Sequence, residues 1–344
     1  LRNPIADTWN YAYMNIETGH NVEGSYTLDT STNTYIPPGA MVEYFFTARD
    51  AEGNVEISDR KTFVYEDTRF EWQFVTIGDL TISWHDQPIK NLRSIEKNIF
   101  NALNRIDHIL QGGAGEPISG VIYNSRIEAA EAFPALSNTL DEEHIFQGFA
   151  FSKWNMFTGV GLRVDLIAHE VAHLRLHHAT KATIPAWLNE GFASYCEPSS
   201  VYESAEHIHM RKEPYMPLRN MVAVTGNVPD IRFFYRKSES VVGYLLEFYG
   251  EDRFRDLLGR LATDRGIDRA LYDTYGFDQD GLEREWLVNS RNLSHPEIDE
   301  EDNLFLTIEN GFLGVLVLVV LLLLFLRFVV RRLMPKNNEE HGSW

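Results

Sequence analysis

The spacing of apolar residues changes period once along this chain, and the change divides it. In the first part the apolar positions alternate. Val42, Tyr44, Phe46 and Ala48 interleave with Glu43, Phe45, Thr47 and Arg49, a period-2 pattern with one face more apolar than the other. Pro37-Pro38-Gly39 before the run and Asp50-Ala51-Glu52-Gly53-Asn54 after it are turn signals, and a second strand pattern covers 61–65. Short strands at this spacing predict an immunoglobulin-like or fibronectin-like β-sandwich over residues 1–70, with its first strands upstream of Leu1. It holds no cluster of chemically active side chains and reads as a spacer or docking module.

A strand pair over 71–84 opens a second domain, 71–290. The period then becomes helical. Leu92, Ile95, Ile99, Leu103, Ile106 and Leu110 recur at helix spacing until Gly112-Gly113 stops the run. A short buried strand is expected over 120–124 and an aromatic-rich strand over 146–157. Helices are expected over 165–178, 186–197, 238–249 (closed by Gly250), 253–261, 268–275 and 278–289. This mixture predicts an α+β domain.

Residues 291–310 are polar and acidic, a linker. Residues 311–330 follow with Arg327 as the one charged residue, placed near the end where its stem can reach the interface. A helix of that length spans roughly 30 Å, the hydrocarbon thickness of a bilayer, so a single transmembrane helix is expected. Arg331, Arg332 and Lys336 lie beyond it; Glu297, Asp299, Glu300, Glu301, Asp302 and Glu309 precede it. The positive-inside rule then places the tail 331–344 in the cytoplasm and the N-terminal domains outside the cell membrane. The lipid bilayer is thus one expected partner. Nucleic acid is not, because 31 Lys and Arg against 50 Asp and Glu give a formal net charge of −19. The one cysteine, Cys196, allows no internal disulfide.

The chemistry concentrates in His169-Glu170-Val171-Ala172-His173. Histidines at i and i+4 share one helix face, and both imidazoles can reach one zinc ion at about 2.0–2.1 Å. Glu170 is placed to act as general base. Leu166, Ile167, Val171, Ala172 and Leu174 supply the apolar face the helix needs. Zinc requires a third ligand. Glu190, in Ala186-Trp187-Leu188-Asn189-Glu190-Gly191-Phe192-Ala193, can return over the histidine pair if two antiparallel helices are joined by a short loop. Two histidines, a glutamate and one open position make a catalytic zinc geometry, since structural sites are closed. The metzincin spacing fails: Leu176 and Ala179 stand where it needs Gly and His. His177 and His178 read as exposed helix-end residues, and His207 and His209 as loop residues.

The pairing of HEVAH with WLNEGFA resembles the gluzincin metallopeptidases, closest to the peptidase MA-like group and locally similar to the M1 aminopeptidases. In those families the two histidines and the NEGF glutamate bind one zinc ion, which matches His169, His173 and Glu190. Tyr235-Arg236-Lys237-Ser238, placed before a helix, resembles their Tyr-x-Lys-Gly element, with Ser238 where the family has glycine. There the tyrosine hydroxyl stabilises the oxyanion, which implies that role for Tyr235. The M1 enzymes also carry a Gly-x-Met-Glu-Asn element that grips the substrate amine, and nothing upstream of His169 matches it. The resemblance thus implies a zinc peptidase acting on peptide or protein substrates; the apolar segment 311–330 makes the expectation a membrane-anchored one, and the missing Gly-x-Met-Glu-Asn element, with an edge strand expected over 146–157, favours an endopeptidase over an aminopeptidase. The alternative from another class is a non-catalytic cell-surface binding or adhesion protein that keeps a peptidase-like fold.

Overall fold

The fold is built on one sheet whose strands alternate between two cores. The computed structural model describes residues 1–4, 9–17, 19, 21–30, 35–112, 116–134, 147–200, 216–224, 228–263 and 265–289. In chain order its strands are β1 (Asn15–Ile16), β2 (Gly24–Ser25), β3 (Ala40–Tyr44), β4 (Thr47–Arg49), β5 (Val55–Ile57), β6 (Lys61–Tyr65), β7 (Gln73–Ile77), β8 (Leu80–Trp84), β9 (Ile118–Tyr123), β10 (Gly148–Phe151) and β11 (Met156–Val160). Its helices are α1 (Ile89–Leu110), α2 (Arg126–Ala129), α3 (Val164–Thr180), α4 (Ala186–Tyr195), α5 (Val228–Tyr249), α6 (Glu251–Leu261), α7 (Ile267–Tyr275) and α8 (Gln279–Asn289).

The five-stranded sheet runs β10-β11-β9-β8-β7. Its inner strands β11, β9 and β8 are parallel, and the outer strands β10 and β7 are antiparallel to their neighbours. Because side chains alternate along a strand, each strand feeds both faces. Leu80, Ile82, Trp84, Ile118, Ile122 and Phe157 join the core under the helices, whereas Val121, Tyr123 and Met156 join a second, smaller core on the opposite face. Helix α1 covers the first face with Leu92, Ile99, Leu103 and Ile106, and ends in a left-handed Gln111 rather than at the following glycines. Helix α3 packs beside it. Arg175, buried on α3, pairs with Asp107 of α1 at 3.2 Å and with Asp79 in the β7–β8 turn.

The second face explains how the N-terminal segment differs from expectation. Among the described residues, 1–70 form three two-stranded ladders, β1-β2, β3-β6 and β4-β5, rather than two facing sheets. A sandwich needs two inward apolar faces. Here β4 and β5 are exposed throughout. Ile36, Ala40 and Val42 instead cover Val121, Tyr123 and Met156, a sheet face that, among the described residues, no long helix reaches. Residues 1–293 accordingly form one compact unit with no break at 70/71. The expected linker, transmembrane helix and tail, 291–344, lie outside the described residues. Among the described residues no helix is long and apolar enough to cross a membrane.

Candidate metal centre

Three helices converge to build the centre, and each is held for a visible reason. Helix α3 carries His169, Glu170 and His173, with Ile167, Val171, Ala172 and Leu174 buried beneath them. Helix α4 carries Glu190. Its first backbone N–H groups have no side-chain cap. Instead Ala186 N donates to the Val222 carbonyl at 3.2 Å and Trp187 N to the Met221 carbonyl at 3.0 Å, which satisfies orphaned helix-start donors. Helix α5 carries Tyr235 and crosses α4 at Gly191. A Cβ there would lie 2.6 Å from the Ser238 carbonyl carbon and closer still to its oxygen, so only glycine permits this approach.

Tyr235 and Ser238 therefore sit within α5, not ahead of it as the sequence pattern suggests. The helix starts a full ten residues earlier than the apolar spacing from Val241 implies, with Ile231, Phe233 and Phe234 buried. Lys237 hides this in the sequence. It is fully buried, its Nζ donating to the Met216 carbonyl at 2.6 Å and pairing with Glu283 of α8.

The ligand atoms meet at one point. His169 Nε2 and His173 Nε2 are 3.1 Å apart, and Glu190 Oε2 lies 3.5 Å from the first and 3.4 Å from the second. Ligand atoms at 2.0–2.1 Å from a tetrahedral zinc ion stand about 3.3–3.4 Å from one another. The three donors thus fit such an ion. Two imidazole nitrogens and a carboxylate oxygen are also the borderline donor set zinc prefers. Among the described residues this is the group of His, Cys, Asp and Glu side chains so placed.

Glu197 was not anticipated from the sequence. Its Oε1 lies 2.8 Å from His169 Nδ1, on the far side of that ring. A carboxylate there fixes the imidazole's orientation and leaves Nε2 facing the centre. The sequence carried a partial signal: Glu197 stands seven residues after Glu190 at the end of the expected helix 186–197, a spacing of about two helical turns, although α4 itself ends at Tyr195 and Glu197 lies just beyond it. His173 Nδ1 is buried without a hydrogen-bond partner among the described residues.

Electrostatics agree with a cation at this point. Burial lowers the pKa of His169, but its bonds to Glu190 and Glu197 outweigh that and push it up to about 10. Burial raises that of Glu190, yet His173 and His169 hold it far below the ordinary carboxylate range. The Glu170 carboxyl is raised by burial, despite both histidines. Burial, followed by Glu190 and Glu170, also raises the Tyr235 phenol, which keeps its proton. The Tyr235 and His169 ring centroids are 6.4 Å apart. Tyr235, His169, Glu170, His173 and Glu190 all line a cleft of about 950 Å³ running between β10 and α3. His177 lines the same cleft and is exposed, whereas His178 is half-buried. His207 and His209 lie outside the described residues.

Comparison with known proteins places these features in context. A family model described as the Peptidase MA superfamily matches residues 110–291. A crystal structure of an M1 zinc metallopeptidase from Deinococcus radiodurans is 15% identical, with a TM-score of 0.41 over 76% of this chain and 63% of that one. A mutant of a two-domain M1 zinc metallopeptidase bound to L-arginine is 15% identical, with a TM-score of 0.42 over 73% of this chain and 61% of that one. A Deinococcus radiodurans M1 mutant bound to a Tyr-Ser-Ala substrate is 14% identical, with a TM-score of 0.42 over the same shares, 73% and 61%. The chain thus spans somewhat less than two thirds of each of those structures. No curated protein matches it.

Proposed function

The chain belongs to the Peptidase MA superfamily, and from that premise we propose that it is a zinc-dependent peptidase using His169, His173 and Glu190 as metal ligands. The observation that carries this reading is the mutual spacing of 3.1, 3.4 and 3.5 Å among their three donor atoms, which fits one tetrahedral ion. Bound there, zinc would polarise the scissile carbonyl and acidify an attacking water. Glu170 takes the proton from that water and passes it to the leaving amine, a role its raised proton affinity favours. Tyr235, protonated and inside the cleft, donates to the carbonyl oxygen as negative charge develops.

The substrate is an extended peptide or protein segment, cut internally. Among the described residues β10 is an outer strand of the sheet. Val160 N donates to the Gln147 carbonyl at 2.8 Å, which turns the Gln147 backbone toward β11. By alternation the backbone groups of Gly148 and Ala150 point to the open side. A strand added there is read through its main chain and needs no free terminus. The absence of a Gly-x-Met-Glu-Asn element supports the same choice. Residues 311–330 anchor the enzyme in the cell membrane with the peptidase domain outside; this part of the proposal rests on their apolarity and on the basic flank. The anchored chain would resist alkaline extraction, and recovery in the soluble fraction would reject the anchor.

The test of the central reading is a peptide-library digest by the purified chain. Internal cleavage is expected with zinc and should stop with a chelator or with Glu170→Gln, which retains the metal. Cleavage that survives both treatments would overturn the proposal.

A further inference from the structure

The carboxyl group of Glu170 lies against a position that has no side chain. Gly148 opens β10, and its Cα faces α3. A Cβ built there would stand 2.8 Å from Leu166 Cδ1 and 2.9 Å from the Glu170 carboxyl carbon, and nearer still to Oε1. Real Cβ atoms do not approach so closely, so either the carboxylate or the strand would have to give. Both are constrained. Glu170 is only 4% exposed, and β10 is paired along its length with β11. Nor does the backbone itself reserve this position for glycine. Gly148 is not among the residues with positive φ, so alanine could adopt its conformation.

Gly159 on β11 is an internal control. It is the cross-strand partner of Gly148 and also lacks positive φ. A Cβ there would stand 2.7 Å from Leu166 Cδ2, so it would also crowd α3, but at Leu166 and not at Glu170. The two glycines share a sheet face, a ladder and a facing helix. They differ in whether the catalytic carboxyl group is what they touch.

We infer that Gly148 is a positioning residue for Glu170: its missing side chain forms the seat that keeps the carboxylate turned toward the His169–His173 centre. In its kinetic consequence this inference rests on the proposed role of Glu170 as base; in its structural consequence it does not. A misplacement on the order of 1 Å in a reacting group costs roughly a hundredfold in rate. Overpacking at a buried contact also destabilises the fold.

The test combines a thermal double-mutant cycle on the metal-free chain with steady-state kinetics on the zinc-loaded chain. Gly148→Ala should lower Tm, and most of that loss should vanish in a Glu170→Ala background, where the obstructed carboxyl group is gone. Gly159→Ala should cost the same Tm in both backgrounds. With zinc bound, Gly148→Ala should lower kcat about a hundredfold while KM and zinc stoichiometry stay at wild-type values, and Gly159→Ala should keep kcat near wild type. An equal Tm loss from Gly148→Ala in both backgrounds, or an unchanged kcat, would overturn the inference. A Gly148→Ala chain that folds only together with Glu170→Ala supports the seat, and one that folds in neither background overturns it. If the zinc-loaded wild type cleaves nothing, the peptidase reading fails, and the thermal cycle still decides whether the seat exists.

Discussion

At the scale of single residues, the centre depends on groups that fix other groups. His169 and His173 are useful as ligands only if their Nε2 atoms face the same point, and Glu197 secures one of them from behind at 2.8 Å. Losing such a partner typically weakens metal binding 10- to 100-fold. Glu197→Gln should therefore weaken zinc affinity by about that factor without abolishing stoichiometric binding; competition titration against a coloured chelator measures it, and an unchanged affinity would remove Glu197 from the centre. Tyr235→Phe removes only a hydroxyl from a residue that lines the cleft. It should lower kcat on the order of 10²–10³-fold and leave Tm within a degree or two of wild type; an unchanged kcat would assign the tyrosine to packing. The histidine pair and Glu170 are legible in the sequence because i, i+4 spacing puts two rings on one helix face and leaves Glu170 beside them. Glu197 was not legible, since one more glutamate in an acidic chain does not stand out and it lies just past the end of α4.

Among secondary-structure elements, the informative contact is the crossing of α4 and α5. Gly191 lets the Ser238 carbonyl approach where any side chain would collide. The same crossing carries Tyr235 to Glu190, because Tyr235 and Ser238 are i and i+3 on one face of α5. Gly191→Ala should force the two helices apart and cost about 1–3 kcal/mol, seen as a lower midpoint in urea. It should also reduce kcat as Tyr235 withdraws from the cleft; a stable, fully active variant would show that the approach is slack. Most of these helices follow from periodicity alone: α1, α6, α7 and α8 begin and end within a few residues of the apolar pattern. The start of α5 does not, and the cause is specific. Arg232, Arg236 and Lys237 break the apolar run between Ile231 and Val241, and a lysine reads as exposed. Only the tertiary pairing with Glu283, far away in sequence, makes Lys237 an interior residue.

For the whole molecule, the N-terminal segment completes the sheet rather than standing apart as a sandwich. Alternation marked β6 and a single run that the structure divides into β3 and β4, but it did not mark β1, β2 or β5, nor the target of any of them. Val121, Tyr123 and Met156 look like ordinary strand residues until their packing shows that, among the described residues, no long helix covers them. Asp67 ties the two regions together. Its carboxylate accepts from Tyr123 Oη at 3.0 Å and from the Arg69 guanidinium, and its backbone carbonyl accepts from the Trp72 indole at 2.8 Å. The bond from Arg69 holds its pKa below the ordinary value of 3.8. A depressed carboxyl pKa stabilises the fold above the unfolded value, and the contribution disappears as pH falls through the folded one. The stability difference between wild type and Asp67→Asn should therefore hold at neutral pH and shrink progressively below about pH 3.8; a difference that stays constant through that range would show that Asp67 does no electrostatic work.

The zinc stoichiometry of the purified chain, compared with that of Glu190→Ala, bears most directly on the claim that the three donors form one site. We expect one tightly bound ion per wild-type chain, with Glu190→Ala losing it under the same dialysis. Equal zinc content in the two proteins would mean that the convergence of His169, His173 and Glu190 is not a metal centre.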